Sequence, residues 1–469
     1  MIQTRRLQHC FADGLIAEEI EDLREPWMSY SDAVLGDDRL LEIVQQALAQ
    51  RCRKSKTRGR PATTAEVVVR MLLLKHIFNC SYERLTRDVR ANLVYRDFTK
   101  IGAGKVPDDK TLGRLARQLG PAVIEQIHQR VVELAREHKV VRGRKMRVDT
   151  TVVETNIHYP TDSSLLGDGV RVLIRLMKQV RGAAGTAVAK VRDCTRSLRR
   201  RILAVSQASR DKTEKGKGKL KDAYKKLLAM ATRVMHQADR FSVAAADQIT
   251  LARGTRRRHL QKAHGQMVEM TARLQQVLRQ TRQRVLQGNT HAEGKLVSVF
   301  EPATEVIRKG KAGKPNEFGN LAKIQEAENQ IVTHYEVYDH RPSDSHLLTL
   351  SIAKHKQQFG RAPELVAADA GFFSAANEAA AEQMGVKRVA IPNRSTKSEV
   401  RKQRQKARWF KNAMKWRTGC EGRISVLKRR HGLNRCRYKG SAGMQRWVGL
   451  GVIADNVVNI GRHLASHQA

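Results

Sequence analysis

Along residues 40–139 apolar positions recur at three- and four-residue intervals, punctuated by capping residues, and this pattern predicts a run of helices. Thr63 and Glu66 stand at capping-box spacing before the apolar stretch that starts at Val67. Ser81 opens a second helix running to Asn92, and Asp108 or Asp109 opens a third. Gly120-Pro121 then precedes a fourth, which ends near His138. Short helices joined by tight turns suit a helix-turn-helix module and a plain scaffold equally well. The period then switches: MRVDTTVVET alternates and is rich in Val and Thr, so it reads as a strand with Asp149 near its middle, and Pro160 ends the pattern. From residue 161 to 301 there is no proline, and the composition predicts long helices with DKTEKGKGK, residues 211–219, as a flexible turn. A second strand-rich region follows, with KLVSVFEP, IVTHYEVYDH, ELVAADA and VKRVAIP as strands and helices over 345–359 and 375–384. A helix over 414–430 and an amphipathic helix over 445–463 complete the chain, the latter with Trp447, Leu450, Ile453, Val457, Ile460 and Leu464 near helical spacing. The fold class is α/β: a mixed sheet interrupted by a long helical insertion and preceded by an all-α N-terminal domain. The domains expected are residues 1–140, 141–160 with the first strand, the insertion 161–290, and 291–469.

Charge sharpens this picture. The chain has 469 residues, with 88 Lys plus Arg against 46 Asp plus Glu and a net charge of +42, which points to a polyanionic partner. About half of that excess lies in residues 171–290, where 29 basic residues face 7 acidic ones; a solvated helical hairpin needs no such imbalance, whereas phosphate contact does. Aromatic residues make up only 5% of the chain, which disfavours a binder that works mainly by stacking on single strands. Six scattered cysteines without a CxxC pair indicate neither a zinc ribbon nor a disulfide framework, and a reducing cytoplasm is the expected compartment. No leader pattern and no run of 18 apolar residues is present, so the expectation is a protein neither secreted nor membrane-spanning.

Candidate chemistry lies in carboxylates. Residues 401–439 hold 15 Lys plus Arg and one acid, Glu421. Arg417, Glu421 and Lys428, spaced by four and seven residues, share one helix face. Such a triple is commonly an ordinary salt-bridged helix. A lone carboxylate on a phosphate-seeking surface repels DNA, however, unless a cation lies between them. Hard divalent ions take carboxylate, phosphate and water oxygens, and phosphoryl transfer with two metals needs acids converging from different elements. Asp149 on the first strand and Asp369 at the end of ELVAAD are candidates, with Glu154, Asp162, Asp168, Asp339 and Asp344 competing on composition alone.

WRTGCEGRISVLK carries Arg417, Glu421 and Lys428 at the spacing of the Tyr-Arg-Glu-Lys signature, with Met414 at the Tyr position. With VDTTVVETNIHYPTDSSLL around Asp149 and VAADAGFFS around Asp369, the chain resembles the DDE insertion-sequence transposases, nearest to an ISNCY-like group. PNEFGNLAK and DHRPSDSHLL resemble that family's intervening strands and their connection, and residues 67–98 with PDDKTLGRL resemble its helical N-terminal domain. The resemblance implies a ribonuclease H-like catalytic domain with strand order 3-2-1-4-5. It makes Asp149, Asp369 and Glu421 the catalytic acids and the ligands of two Mg²⁺ (or Mn²⁺) ions. The implied activity is cleavage of transposon ends and transfer of the freed 3′-hydroxyl into target DNA. Arg417 and Lys428 would neutralise phosphates, with His431 and Trp416 as further DNA contacts. The implied partners are double-stranded DNA, as terminal inverted repeats and target, and further copies of the chain in a dimer or higher oligomer, with no membrane; the implied location is the bacterial cytoplasm, at the nucleoid. Rival readings are a transposase-derived DNA-binding protein without activity and a basic structural protein of RNA or chromatin.

Overall fold

The computed structural model describes residues 2–6, 11–50, 63–290, 293–311 and 314–468. Cys80, Cys194, Cys420 and Cys436 are free thiols, while Cys10 and Cys52 lie outside the described residues. The chain divides into two compact units, Met1–Asn156 with Ile307–Ala469, and Ile157–Val306.

The first unit opens with helices α1 (Phe11–Glu19), α2 (Pro26–Leu35), α3 (Asp38–Ala49), α4 (Ala65–Ile77), α5 (Tyr82–Ala91), α6 (Leu93–Phe98), α7 (Asp109–Gln118) and α8 (Pro121–Glu137). Ser81 and Asp108 cap α5 and α7, accepting from the backbone N–H of Arg84 and Thr111 at 3.1 and 2.7 Å. The cap of α4 is Thr64 rather than Thr63, since its hydroxyl accepts from Val67 N–H at 3.4 Å.

The second unit is helical: α9 (Asp162–Ala184), α10 (Thr195–Ala208), α11 (Glu214–Leu251) and α12 (Gly254–Leu286). Val170, Leu173, Met177, Leu227, Val234, Phe241, Met267 and Leu274 form its apolar core at helical spacing. Two expectations are corrected here. Residues 214–219 belong to α11, because Asp211 and Thr213 build a cap that starts the helix early, Thr213 Oγ1 accepting from Gly216 N–H at 3.1 Å. KLVSVFEP is not a strand: the Gln280 side chain pairs with both backbone groups of Leu296 at 2.9 Å, taking the place of a neighbouring strand.

The sheet of the first unit contains β1 (Lys145–Thr155), β2 (Glu305–Lys311), β3 (Lys314–Glu326), β4 (Val332–Tyr338), β5 (Leu365–Ala368), β6 (Arg388–Ala390) and β7 (Arg435–Cys436). Its order is β2-β3-β1-β5-β6, with β4 also on β3 and β7 also on β1. β1 runs antiparallel to β3 from Arg147↔Glu326 to Glu154↔Gly319. On its other edge it runs parallel to β5 as far as Val148↔Ala368 and meets β7 only at Glu154 and Thr155. Among the described residues no strand covers that edge over 149–153, so the sheet has a gap that begins at Asp149.

Around the sheet lie α13 (Leu347–Phe359), α14 (Ala375–Gln383), α15 (Glu399–Lys406), α16 (Arg408–Arg429) and α17 (Ser441–Gln468). Strand alternation sends Met146 and Val148 into a core with Leu347, Leu348 and Ile352 of α13, and sends Arg147, Asp149 and Val153 toward α16 on the other face. α16 begins six residues before the expected start, where Trp409, Phe410 and Ala413 pack on Ala367 and Ala390. α17 is not amphipathic in its setting: residues 447–461 are buried all round. Leu450, Ile453, Val457 and Ile460 join the core of the N-terminal helices, while Trp447, Val448 and Val452 join the core beneath the sheet.

Candidate functional site

A cavity of about 780 Å³ opens at the gap in the sheet, and Asp149, Asp344, Asp369, Arg417, Glu421 and Lys428 are among its lining residues. Each acid arrives on a different element. Asp149 projects from β1 at the first position past the end of β5, and its Oδ1 accepts from the Thr150 N–H at 2.8 Å. Asp369 follows β5 directly and caps a 3-10 turn (Ala370–Phe372), accepting from Ala370 N–H at 2.7 Å. Because Val148 and Ala368 are in register on parallel strands, the next residue of each is one of these two acids. Glu421 comes from α16.

One guanidinium joins all three. Arg417 Nη2 lies 2.8 Å from Asp149 Oδ2 and 3.9 Å from Asp369 Oδ2, and Nη1 donates to Glu421 Oε1 at 2.8 Å. The environments differ sharply: the side chain of Asp149 is 13% exposed and that of Arg417 10%, against 51% for Asp369 and 60% for Glu421. Burial pushes the pKa of Asp149 up; the charges of Asp369 and Glu421 add to this, whereas Arg417 and the Thr150 amide oppose it. Burial also works against the charge of Arg417, but the three carboxylates outweigh it and raise its pKa.

Two buried arginines, each in an ion pair, fasten α16 to its neighbours. Arg147, two residues before Asp149 and on the same face, pairs with Glu326 of β3 (Nε to Oε2 2.9 Å) and contacts the Trp416 carbonyl of α16. Its guanidinium lies 4.8 Å from the Trp416 ring centroid and against Gly419, where a Cβ would stand 2.5 Å from Nη1. Arg423, two residues after Glu421, donates to Asp455 of α17 at 2.7 Å and to Gln330 at 2.6 Å. The helix that carries Arg417 and Glu421 is thus held on both sides by groups that do not line the cavity.

The structure brings Asp149, Asp369, Glu421, Arg417 and Lys428 to one cavity. It places the two weaker candidates elsewhere. His431 is buried with Nε2 3.3 Å from Asp455 Oδ1, so it is a packing residue rather than a DNA-facing one. Trp416 lines a separate groove on the other side of α16 with Arg147, Gly419 and Arg423. Of the competing acids, Asp162 and Asp168 pair with Arg284 and Arg171 inside the second unit, Asp339 accepts from Ser441, and Glu154 lies beside Arg435. Asp344 is the exception, and no spacing in the sequence marks it out.

Among the described residues no group of three or more His, Cys, Asp or Glu side chains is spaced to hold a metal ion by itself. The positive charge between the acids comes from Arg417. The donor chemistry fits a hard divalent ion nonetheless: three carboxylates from three elements line one cavity, and their three negative charges face a single guanidinium.

Comparison with known proteins gives two family matches. Residues 29–118, from α2 to α7, match a family described as a transposase domain (DUF772), and residues 378–460, which include Glu421, match one described as a transposase DDE domain. A relative from Rhizobium meliloti, named "Uncharacterized protein ORF8 in nfe locus", is 28% identical over 127 residues; the match spans 26% of this chain and 61% of that protein, less than two thirds of its length. No solved structure matches the chain. Among the described residues no helix is long and apolar enough to cross a membrane.

Proposed function

We propose, for a chain whose two family matches support a DDE insertion-sequence transposase, that it cuts the ends of a DNA element and joins the freed 3′-hydroxyl to target DNA at the cavity beside β1. The observation that carries this reading is the meeting of Asp149, Asp369 and Glu421, 220 and 52 residues apart in the sequence, around one guanidinium. A strand order that reverses at β1, with β1, which carries Asp149, and β5, which Asp369 follows, as parallel neighbours, supports a ribonuclease H-like catalytic domain. Ligand crevices form at such switch points.

The residues divide the task. Asp149, nearly buried and tied to the Thr150 amide, is the fixed carboxylate; Asp369 and Glu421, more than half exposed, adjust around it. Transposases of the DDE type generally depend on divalent metal. These three side chains would hold two Mg²⁺ or Mn²⁺ ions, which when bound would supply the activation of water and the stabilisation of the leaving oxygen. Arg417 offsets part of the acids' charge in the free protein and can turn to a DNA phosphate, with Lys428 about three turns further along the same face of α16. In the first step a water oxygen bonds to phosphorus at the element end and the bond to the 3′-oxygen breaks, that oxygen taking up a proton. In the second step this hydroxyl attacks a target phosphorus in line and a target 3′-hydroxyl leaves, so no covalent protein intermediate forms. The cationic helices of the second unit supply sequence-independent grip on phosphates.

Glu421→Gln tests the assignment in a strand-transfer assay run in Mg²⁺ with an EDTA control. The variant should bind element-end DNA like the wild type and lose transfer. Full transfer by the variant removes Glu421 from the chemistry.

A further inference from the structure

We propose that Asp344 is a positioning residue of this site, setting the separation of the Asp149 and Asp369 carboxylates from the opposite face of the sheet; the inference rests on the reading just given for those two acids. Asp344 opens a 3-10 turn (Asp344–His346) that runs directly into α13. Strand alternation puts Thr150 on the same face of β1 as Met146 and Val148, the face that α13 covers, whereas Asp149 points to α16. Only because no strand covers residues 149–153 on that edge, among the described residues, can a side chain from the α13 face line the same cavity as Asp149.

Asp344 makes one hydrogen bond and one close approach there, one beside each acid. Its Oδ1 accepts from Thr150 Oγ1 at 3.3 Å, one residue after Asp149. Its Oδ2 lies against Gly371, two residues after Asp369, where a Cβ would stand 3.1 Å away. The turn is held in place at both ends. Asn377 of α14 donates to the carbonyls of Ser345 and Phe372, the latter at 3.0 Å, and Leu347 and Leu348 are buried against Val366 and Ala368 of β5. A single carboxylate on a rigid support thus touches the segment of the first acid and the segment of the second. Groups that share a ligand must be held to about 0.5 Å, and partners beyond the ligands usually provide that precision.

The test is Mn²⁺ binding by the full-length protein without DNA, measured by calorimetry alongside thermal melts. Asp344→Ala and Thr150→Val should each weaken Mn²⁺ binding about tenfold, and the double variant should be no worse than Asp344→Ala, because that change already removes the hydrogen bond that Thr150→Val removes. Asp344→Asn keeps an oxygen acceptor for the Thr150 hydroxyl and should stay within about threefold of wild type. Unchanged affinity in Asp344→Ala and Thr150→Val, with melting preserved, would overturn the proposal. So would an Asp344→Asn loss as large as that of Glu421→Gln, which would make Asp344 a ligand in its own right. A wild-type protein that takes up no Mn²⁺ would instead remove the metal-site reading beneath it.

Discussion

In the proposed site a divalent ion would compete with Arg417 for the same carboxylates, so Arg417→Gln should tighten metal binding in the absence of DNA. The size of the effect follows from the exposure of the three partners. Asp369 and Glu421 are 51% and 60% exposed, and solvent screening leaves each pairing worth about 0.5 kcal/mol. Asp149 is 13% exposed and 2.8 Å from the guanidinium, where a charged hydrogen bond contributes roughly 1.5–3 kcal/mol. Moving Arg417 aside therefore costs about 2.5–4 kcal/mol, and hydration of the freed guanidinium recovers part of it. A remainder of about 1.4–2.7 kcal/mol corresponds to a roughly 10- to 100-fold gain in Mn²⁺ affinity for Arg417→Gln. The assay is a calorimetric titration of wild type and variant at one ionic strength, repeated with element-end DNA. DNA should strengthen Mn²⁺ binding in the wild type, because phosphate gives the guanidinium another partner, and should do so much less in the variant. Equal or weaker Mn²⁺ binding by Arg417→Gln without DNA would refute the competition.

Lys75 provides a pH test of packing. It is 3% exposed, with its ammonium 5.1, 5.5 and 4.5 Å from the ring centroids of Tyr82, Tyr438 and Trp447, and burial pushes its pKa down to about 8 from 10.5. Between those values the unfolded chain holds the proton and the folded chain does not, so stability should rise with pH across this window, by about 3 kcal/mol in all. Below pH 8 the cost of the buried charge is present in full; melts against pH should show the climb in wild type and not in Lys75→Met. Gly419→Ala puts a methyl group against a guanidinium already bound to Glu326, and should destabilise by roughly 1–3 kcal/mol despite the better helix propensity of Ala; a raised melting temperature would contradict the Arg147 clamp. Changing the exposed Lys226, Arg240, Arg257 and Arg258 to Gln should make the salt dependence of DNA binding shallower by about 3–4 in log–log slope; an unchanged slope would place the phosphate grip outside these helices.

Local features of the fold were legible because local physics decides them. The alternation of MRVDTTVVET gives β1, and Ser81, Asp108 and Pro121 mark helix starts that tertiary packing leaves alone. Glu421 stood out as the one acid in a basic stretch, and α16 carries it to the cavity. Long-range exchanges were not legible. Gln280 replaces a strand partner for Leu296, so a good strand pattern remains a loop. In α17 the polar residues Asp455, Asn456 and Asn459 suggest an outer face, yet Asp455 binds Arg423, Asn456 pairs with both backbone groups of Val332, and Asn459 donates to the Gln330 carbonyl. A sequence pattern records which residues are polar, not which buried partners await them. Asp344 did not stand out from the other competing acids for a related reason: its contacts cross the sheet and depend on where β5 stops.

The attachment of α16 explains why the acids can be so differently exposed and still share one cation. If the carboxylates held the helix in place through Arg417, two partners more than half exposed would be weak anchors. The anchoring lies instead in Arg147, paired with Glu326 in the sheet and bound to the Trp416 carbonyl of α16, on one side and in Arg423–Asp455 on the other, both ion pairs buried and hydrogen-bonded at 2.7–3.0 Å. Removing one member of such a pair leaves an uncompensated buried charge and costs several kcal/mol. Changes at these anchors should therefore lower stability and activity together. Changes at Asp369 or Glu421 should lower activity and leave the melting temperature nearly unchanged, because the fold does not lean on them. The site has thereby been relieved of structural duty, and its acids and Arg417 are left to exchange partners when DNA arrives.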